Sequence, residues 1–175
     1  MEIPGSTYLY ALATVSTTFV GFSALAMIFR QAMGGAITRY DTFFTLSFVQ
    51  TGFIVAAGSM LPQLLALFEW SHRAVWRASS TIMAITVLSF IATFPMRRRA
   101  ATGARAPLYV DVLLALQVLI AMSLILDAVG KPLEPGAALY ASAMAGFLLT
   151  SGVAYLIALS VTLQEAKAGG PERAS

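Results

Sequence analysis

The 175-residue chain has no cysteine. That absence excludes disulfides, thiolate nucleophiles, iron–sulfur clusters and Cys-ligated zinc within the chain, and it leaves the redox compartment unreadable. Histidine is almost as scarce. With His72 as the one imidazole, a single chain cannot assemble a bis-His haem or a multi-His metal site. His72 falls in a predicted loop, where an exposed imidazole is a solvated side chain before it is a ligand. Gly-x-Ser-x-Gly, a Walker-type phosphate loop and His-Glu-x-x-His are all missing. No serine, histidine and acid can be set at one depth. The chain is therefore expected to be no enzyme and to need neither cofactor nor metal.

Charge is sparse as well, at 11% of residues, while 58% are hydrophobic and mean hydropathy is +0.79. A soluble protein of this size could not bury so much apolar surface in one core. Five long apolar stretches account for it, at Thr7–Phe29, Phe43–Phe68, Ala74–Met96, Leu108–Val129 and Ala137–Leu163. Each reaches the ~20 residues a helix needs to cross about 30 Å of hydrocarbon. The fold expected is all-α: a polytopic membrane bundle of five transmembrane helices in a single domain over residues 1–165, with a disordered tail at 166–175. Met1–Ser6 carries Glu2 and no basic residue, and the first stretch is too long for a signal-peptide core, so it is expected to stay as a membrane helix.

Five spans place the polar segments alternately on two sides. One side holds the N-terminus and the loops near residues 69–77 and 130–136, with three basic residues: Arg73, Arg77 and Lys131. The other holds the remaining eight of the eleven: Arg30, Arg39, Arg97, Arg98, Arg99, Arg105, Lys167 and Arg173. The positive-inside rule makes the richer side cytoplasmic, so the N-terminus is expected outside and the C-terminus inside. Tyr8, Tyr10, Trp70, Trp76 and Tyr140 then fall near the outer boundary, and Tyr40, Phe43, Phe44 and Tyr109 near the inner one, as an aromatic belt requires. The net charge of +3 flanks apolar spans, which points to the bilayer as partner and not to nucleic acid. Short loops and small size fit a bacterial inner-membrane protein.

Helices in lipid associate through close backbone approach and interhelical hydrogen bonds. Ser142, Gly146, Thr150, Ala154 and Ala158 repeat every four residues in the fifth segment. Ala13, Thr17, Gly21 and Ala24 form a similar row in the first, and Gly52, Ala56 and Ser59 in the second. The first and fifth segments are expected to pack tightly, within one protomer or between copies of a homo-oligomer. Pro62 interrupts the second segment and should free the carbonyl of Gly58, a candidate hinge. Asp41 or Thr42 is placed to cap that segment.

The polar residues inside the spans are the candidate network: Thr14, Thr17, Thr18, Gln50, Gln63, Asp111, Gln117 and Asp127. Ser and Thr in membrane helices usually bond back to the preceding turn; facing an oligomer axis, the threonines would instead line a wet path. Asp111 and Asp127 are separated by about 24 Å of helix and lie on nearly opposite faces, so they cannot form a dyad. Asp111 and Asp127 are each expected to be hydrated or paired, Asp111 with Arg105 or another cytoplasmic arginine and Asp127 with Lys131. The competing reading is an ion or proton path. Gln50 and Gln117 have similar depth and could brace two helices, worth about 0.6–2 kcal/mol. Arg97, Arg98, Arg99 and Arg105 set topology first and attract anionic lipid second. The functional expectation is a small homo-oligomeric channel or transport protein for ions or small solutes. The alternative is a non-catalytic scaffold or accessory subunit.

Overall fold

The computed structural model describes residues 5–32, 38–103, 107–130 and 136–168, apart from the side chains of Arg30 and residues 162–168. Among them the regular elements are all α-helices: α1 Ser6–Ala32, α2 Arg39–Ala66, α3 His72–Thr102, α4 Leu108–Val129 and α5 Ala137–Ala168. All five are long and apolar enough to cross a membrane. Even α4, with 22 residues, extends about 33 Å.

Local chemistry sets the ends. Thr38, not Asp41 or Thr42, caps α2. Its hydroxyl accepts from the Asp41 backbone at 3.2 Å, and the Asp41 carboxylate accepts from the Thr38 backbone at 2.9 Å. Asp41 thus completes a capping box from the third helical position. Ser71 caps α3 through the Ala74 N–H. Gly103 and Gly130 stop α3 and α4 in the left-handed region, at φ 65° and 74°, which glycine reaches without strain. Helix α3 runs past Met96, because Pro95 removes only its own donor and Arg97–Ala101 are strong helix formers. Gly34, Gly35, Pro132, Pro135 and the tail from residue 169 lie outside the described residues.

Consecutive helices run antiparallel. Helices α2, α3, α4 and α5 close a ring, each touching the next and α5 returning to α2; α1 lies outside it, along α2. One end of the bundle gathers Arg39, Arg97, Arg98 and Arg99, and is called here the arginine-rich end. Val55, Val87, Leu124, Met144 and Phe147 fill the ring's middle with no exposed surface.

Within the protomer α1 packs along α2 and only grazes α5. Leu9, Leu12, Ser16 and Ser23 form its buried line. Gly52 lets α1 approach, since a Cβ there would run into Val20 Cγ2 and lie 3.3 Å from the Ser16 carbonyl. Thr17, Gly21 and Ala24 face away from the bundle, and a Cβ on Gly21 would meet nothing within 4 Å. In α5, Gly146 lies against Ile120 of α4, so part of its small-residue stripe is used inside the protomer. Ser142 is exposed and Thr150 and Ala154 are half-buried.

Candidate functional site

The polar interior divides into two groups. The first lies opposite the arginine-rich end, where α3 begins and α4 ends. Asp127 is 1% exposed. Its carboxylate accepts from Ser80 Oγ at 2.5 Å and from the Gly136 backbone N–H at 3.0 Å. One side chain thus ties α4 to α3 and to the start of α5. Arg77 Nε donates to the Ala128 carbonyl at 2.9 Å, placing a cation one residue from the acid. Lys131, the expected partner of Asp127, lies outside the described residues.

Beside this group, Tyr140 donates its O–H to the Gly58 carbonyl at 2.6 Å. Gly58 precedes Pro62 by four residues, so Pro62 supplies no N–H to that carbonyl, and the phenol takes its place. Tyr140 and Trp76 pack ring to ring at 5.6 Å. Both are buried in the core, which corrects their assignment to the aromatic belt: the Tyr140 hydroxyl answers a backbone acceptor inside the protein. Tyr8, Tyr10 and Trp70 are exposed. Gly58 admits Met83 and Met144, whose sulfurs would lie 2.9 and 3.0 Å from a Cβ there. Ser59 Oγ and Ser79 Oγ are buried with no hydrogen-bond partner among the described residues. The Gln63 amide turns back on its own helix toward the Met60 and Ser59 carbonyls, at 3.0 and 2.8 Å; two acceptors there assign the amide nitrogen to that side.

The second group surrounds a cavity of about 50 Å³ within the ring, toward the arginine-rich end. This is room for a few waters. Ser47, Thr51, Gln117 and Ser151 supply its polar wall, and Phe48, Phe94 and Tyr155 much of the rest. Gln117 Nε2 donates to Ser151 Oγ at 3.1 Å, and Thr51 bonds back to the Ser47 carbonyl at 3.0 Å. Phe48 and Tyr155 stack at 4.5 Å.

The expected Gln50–Gln117 brace is absent. Gln117 points into the ring toward α5, while Gln50 lies on the α2–α3 flank and accepts from Arg97 Nη1 at 2.5 Å. Equal depth did not mean equal azimuth. Asp111 is exposed in the first turn of α4, where the helix dipole favours a carboxylate; its expected partner Arg105 lies outside the described residues. Thr14, Thr17 and Thr18 are exposed on α1 and bond to their own helix, to the carbonyls of Tyr10, Ala13 and Thr14. Of the arginine cluster, Arg97 is half-buried, Arg98 buried and Arg99 exposed. Among the described residues, no three of His, Asp and Glu converge where a metal ion could sit.

Sequence reasoning missed Ser80, Ser151 and Tyr140 as partners. Ser79–Ser80 was a legible polar pair in an apolar span, and Tyr140 was legible as a donor, but neither pattern names its acceptor.

These features define a small α-helical bundle whose five helices are each long and apolar enough to cross a membrane. No protein-family model, curated protein or solved structure matches the chain.

Proposed function

We propose that the protein is a multi-pass membrane protein of a bacterial inner membrane, with its arginine-rich end cytoplasmic, that works as a homo-oligomeric channel or transport protein for ions or small solutes. Its pathway runs between copies along α1 and not through one protomer. One observation carries this choice: Val55, Val87, Leu124, Met144 and Phe147 fill the middle of the ring with no exposed surface. A hydrated path through that layer would require dismantling the core.

The outer line of α1 offers the alternative. Thr7, Thr14, Thr18 and Gly21 fall on one side of the helix, opposite the buried line of Leu9, Ser16 and Ser23. Their hydroxyls keep lone pairs that a passing ion or water could use, and the small side chains let helices approach. Disulfide trapping tests the arrangement directly, since the chain has no cysteine. Thr18→Cys should crosslink to a second copy in the bilayer, and proteoliposomes of the unmodified protein should pass ions or small solutes. Crosslinking without any flux would favour the accessory-subunit reading; no crosslink from Thr14→Cys or Thr18→Cys would remove the α1 axis.

A further inference from the structure

We propose that the groove between α2 and α3 is a binding site for one anionic phospholipid of the leaflet at the arginine-rich end, with the lipid phosphate on Arg97. The inference rests on the membrane-embedded part of the function proposed above, and not on transport.

The groove is about 640 Å³ and opens on the flank of the bundle. Phe53, Ile54 and Phe90 give it an apolar wall, Thr86 and Thr93 line it further, and Arg97 closes its end. From Thr86 to Arg97 it follows α3 for about 16 Å, close to the hydrocarbon depth of a single leaflet. The shape therefore suits an acyl chain lying beside a fixed cation.

Arg97 points away from the rim on which it sits. Side chains on a helix lean toward its N-terminus, and α3 starts at the opposite end of the bundle. The guanidinium accordingly reaches back along the helix, away from the arginine-rich rim, to Gln50 at 2.5 Å. Its carbon lies 5.1 Å from the centre of the Phe90 ring. Arg98 and Arg99 follow in the sequence, so the rim behind it is basic too.

The cation is also under-neutralised. Among the described residues no carboxylate pairs with Arg97, and its Nε–H is buried with no acceptor. A guanidinium has five N–H donors in a planar fork that fits phosphate bidentately. A neutral amide and a ring face leave that capacity largely unused, and an uncompensated arginine beside hydrocarbon is expensive. Gln50 fixes one edge of the fork, which presets the other for an anion. A phosphodiester supplies the missing charge, and its chains fill the apolar groove below. Zwitterionic lipid brings a competing ammonium and should bind less well.

Native mass spectrometry of the full-length protein in neutral detergent, with matched phosphatidylglycerol and phosphatidylcholine, reads this site. Wild-type protein should retain phosphatidylglycerol about fivefold better, the equivalent of about 1 kcal/mol for one basic residue. Arg97→Gln should lose that preference, while Arg99→Gln, an exposed arginine of equal charge, should keep it. Thr93→Phe, which fills the groove without changing charge, should also lose retained phosphatidylglycerol. Equal effects of Arg97→Gln and Arg99→Gln would overturn the site, leaving only general surface attraction. So would an oligomer that falls apart in Arg97→Gln while lipid retention is unchanged, since a carboxylate from a second copy would then be the partner. Failure of the wild-type chain to insert into vesicles would instead strike the membrane reading itself.

Discussion

The hydroxyl of Tyr140 donates to the carbonyl of Gly58 at 2.6 Å, and Gly58 is the residue whose helical donor Pro62 removes. A backbone donor missing from one membrane-length helix is thereby replaced by a phenol from another, 82 residues away in sequence. The carbonyl that Pro62 leaves without a helical donor thus becomes a joint between α2 and α5.

That joint makes a double-mutant prediction. Tyr140→Phe leaves a buried carbonyl unpaired and should cost about 1–3 kcal/mol of unfolding free energy. Pro62→Ala restores the backbone donor, so Tyr140→Phe should be milder in that background. Reversible unfolding in detergent micelles measures both. Equal losses in the two backgrounds would mean that the hydroxyl does not answer the proline. Pro62→Ala also tests the hinge: unchanged transport would show that α2 need not bend there.

Asp127 holds three helices together, so its removal should be felt as stability. Asp127→Leu leaves the Ser80 hydroxyl and the Gly136 N–H without their acceptor, and should destabilise the bundle by about 1–3 kcal/mol. Asp127→Asn keeps one carbonyl oxygen and should do less harm. If Asp127→Asn folds normally yet abolishes flux, the residue belongs to a pathway and not to the scaffold.

Three glycines separate packing inside a protomer from packing between protomers. Gly52→Ala should loosen α1 from α2 by about 1–3 kcal/mol, since the added methyl meets Val20 and the Ser16 backbone. Gly21→Leu should leave protomer stability alone and reduce the oligomer, because its surroundings are open. Gly146→Leu would strike Ile120 of α4, so its first effect should be on protomer stability. Unfolding and analytical ultracentrifugation in detergent read the two effects independently.

How much of this was legible beforehand follows from what hydropathy encodes. Length and apolar content locate a helix along the chain and a residue by depth. Hydropathy accordingly places the fourth span at Leu108–Val129, the bounds α4 has. Hydropathy ends the third span at Met96, six residues short of α3, because it registers the arginines as an end although they are good helix formers. Direction around the helix axis is not encoded in depth. Gln50 and Gln117 were matched by level but point to different neighbours, one to Arg97 and the other to Ser151. The Gly58 carbonyl was legible from Pro62 alone, since that argument is local; its donor was not, because Tyr140 arrives through tertiary packing. The rows of small residues in α1 and α5 named faces without naming what covers them.

The central claim is that five helices thread a bilayer with the arginine-rich end inside. His72 and Ala100 are both exposed, near opposite ends of α3, and about 42 Å of helix separates them. In the native cysteine-free background, His72→Cys and Ala100→Cys give one thiol each. With a membrane-impermeant maleimide on intact cells, His72→Cys should label directly, and Ala100→Cys only after permeabilisation. Labelling of both thiols from the same side would contradict the account.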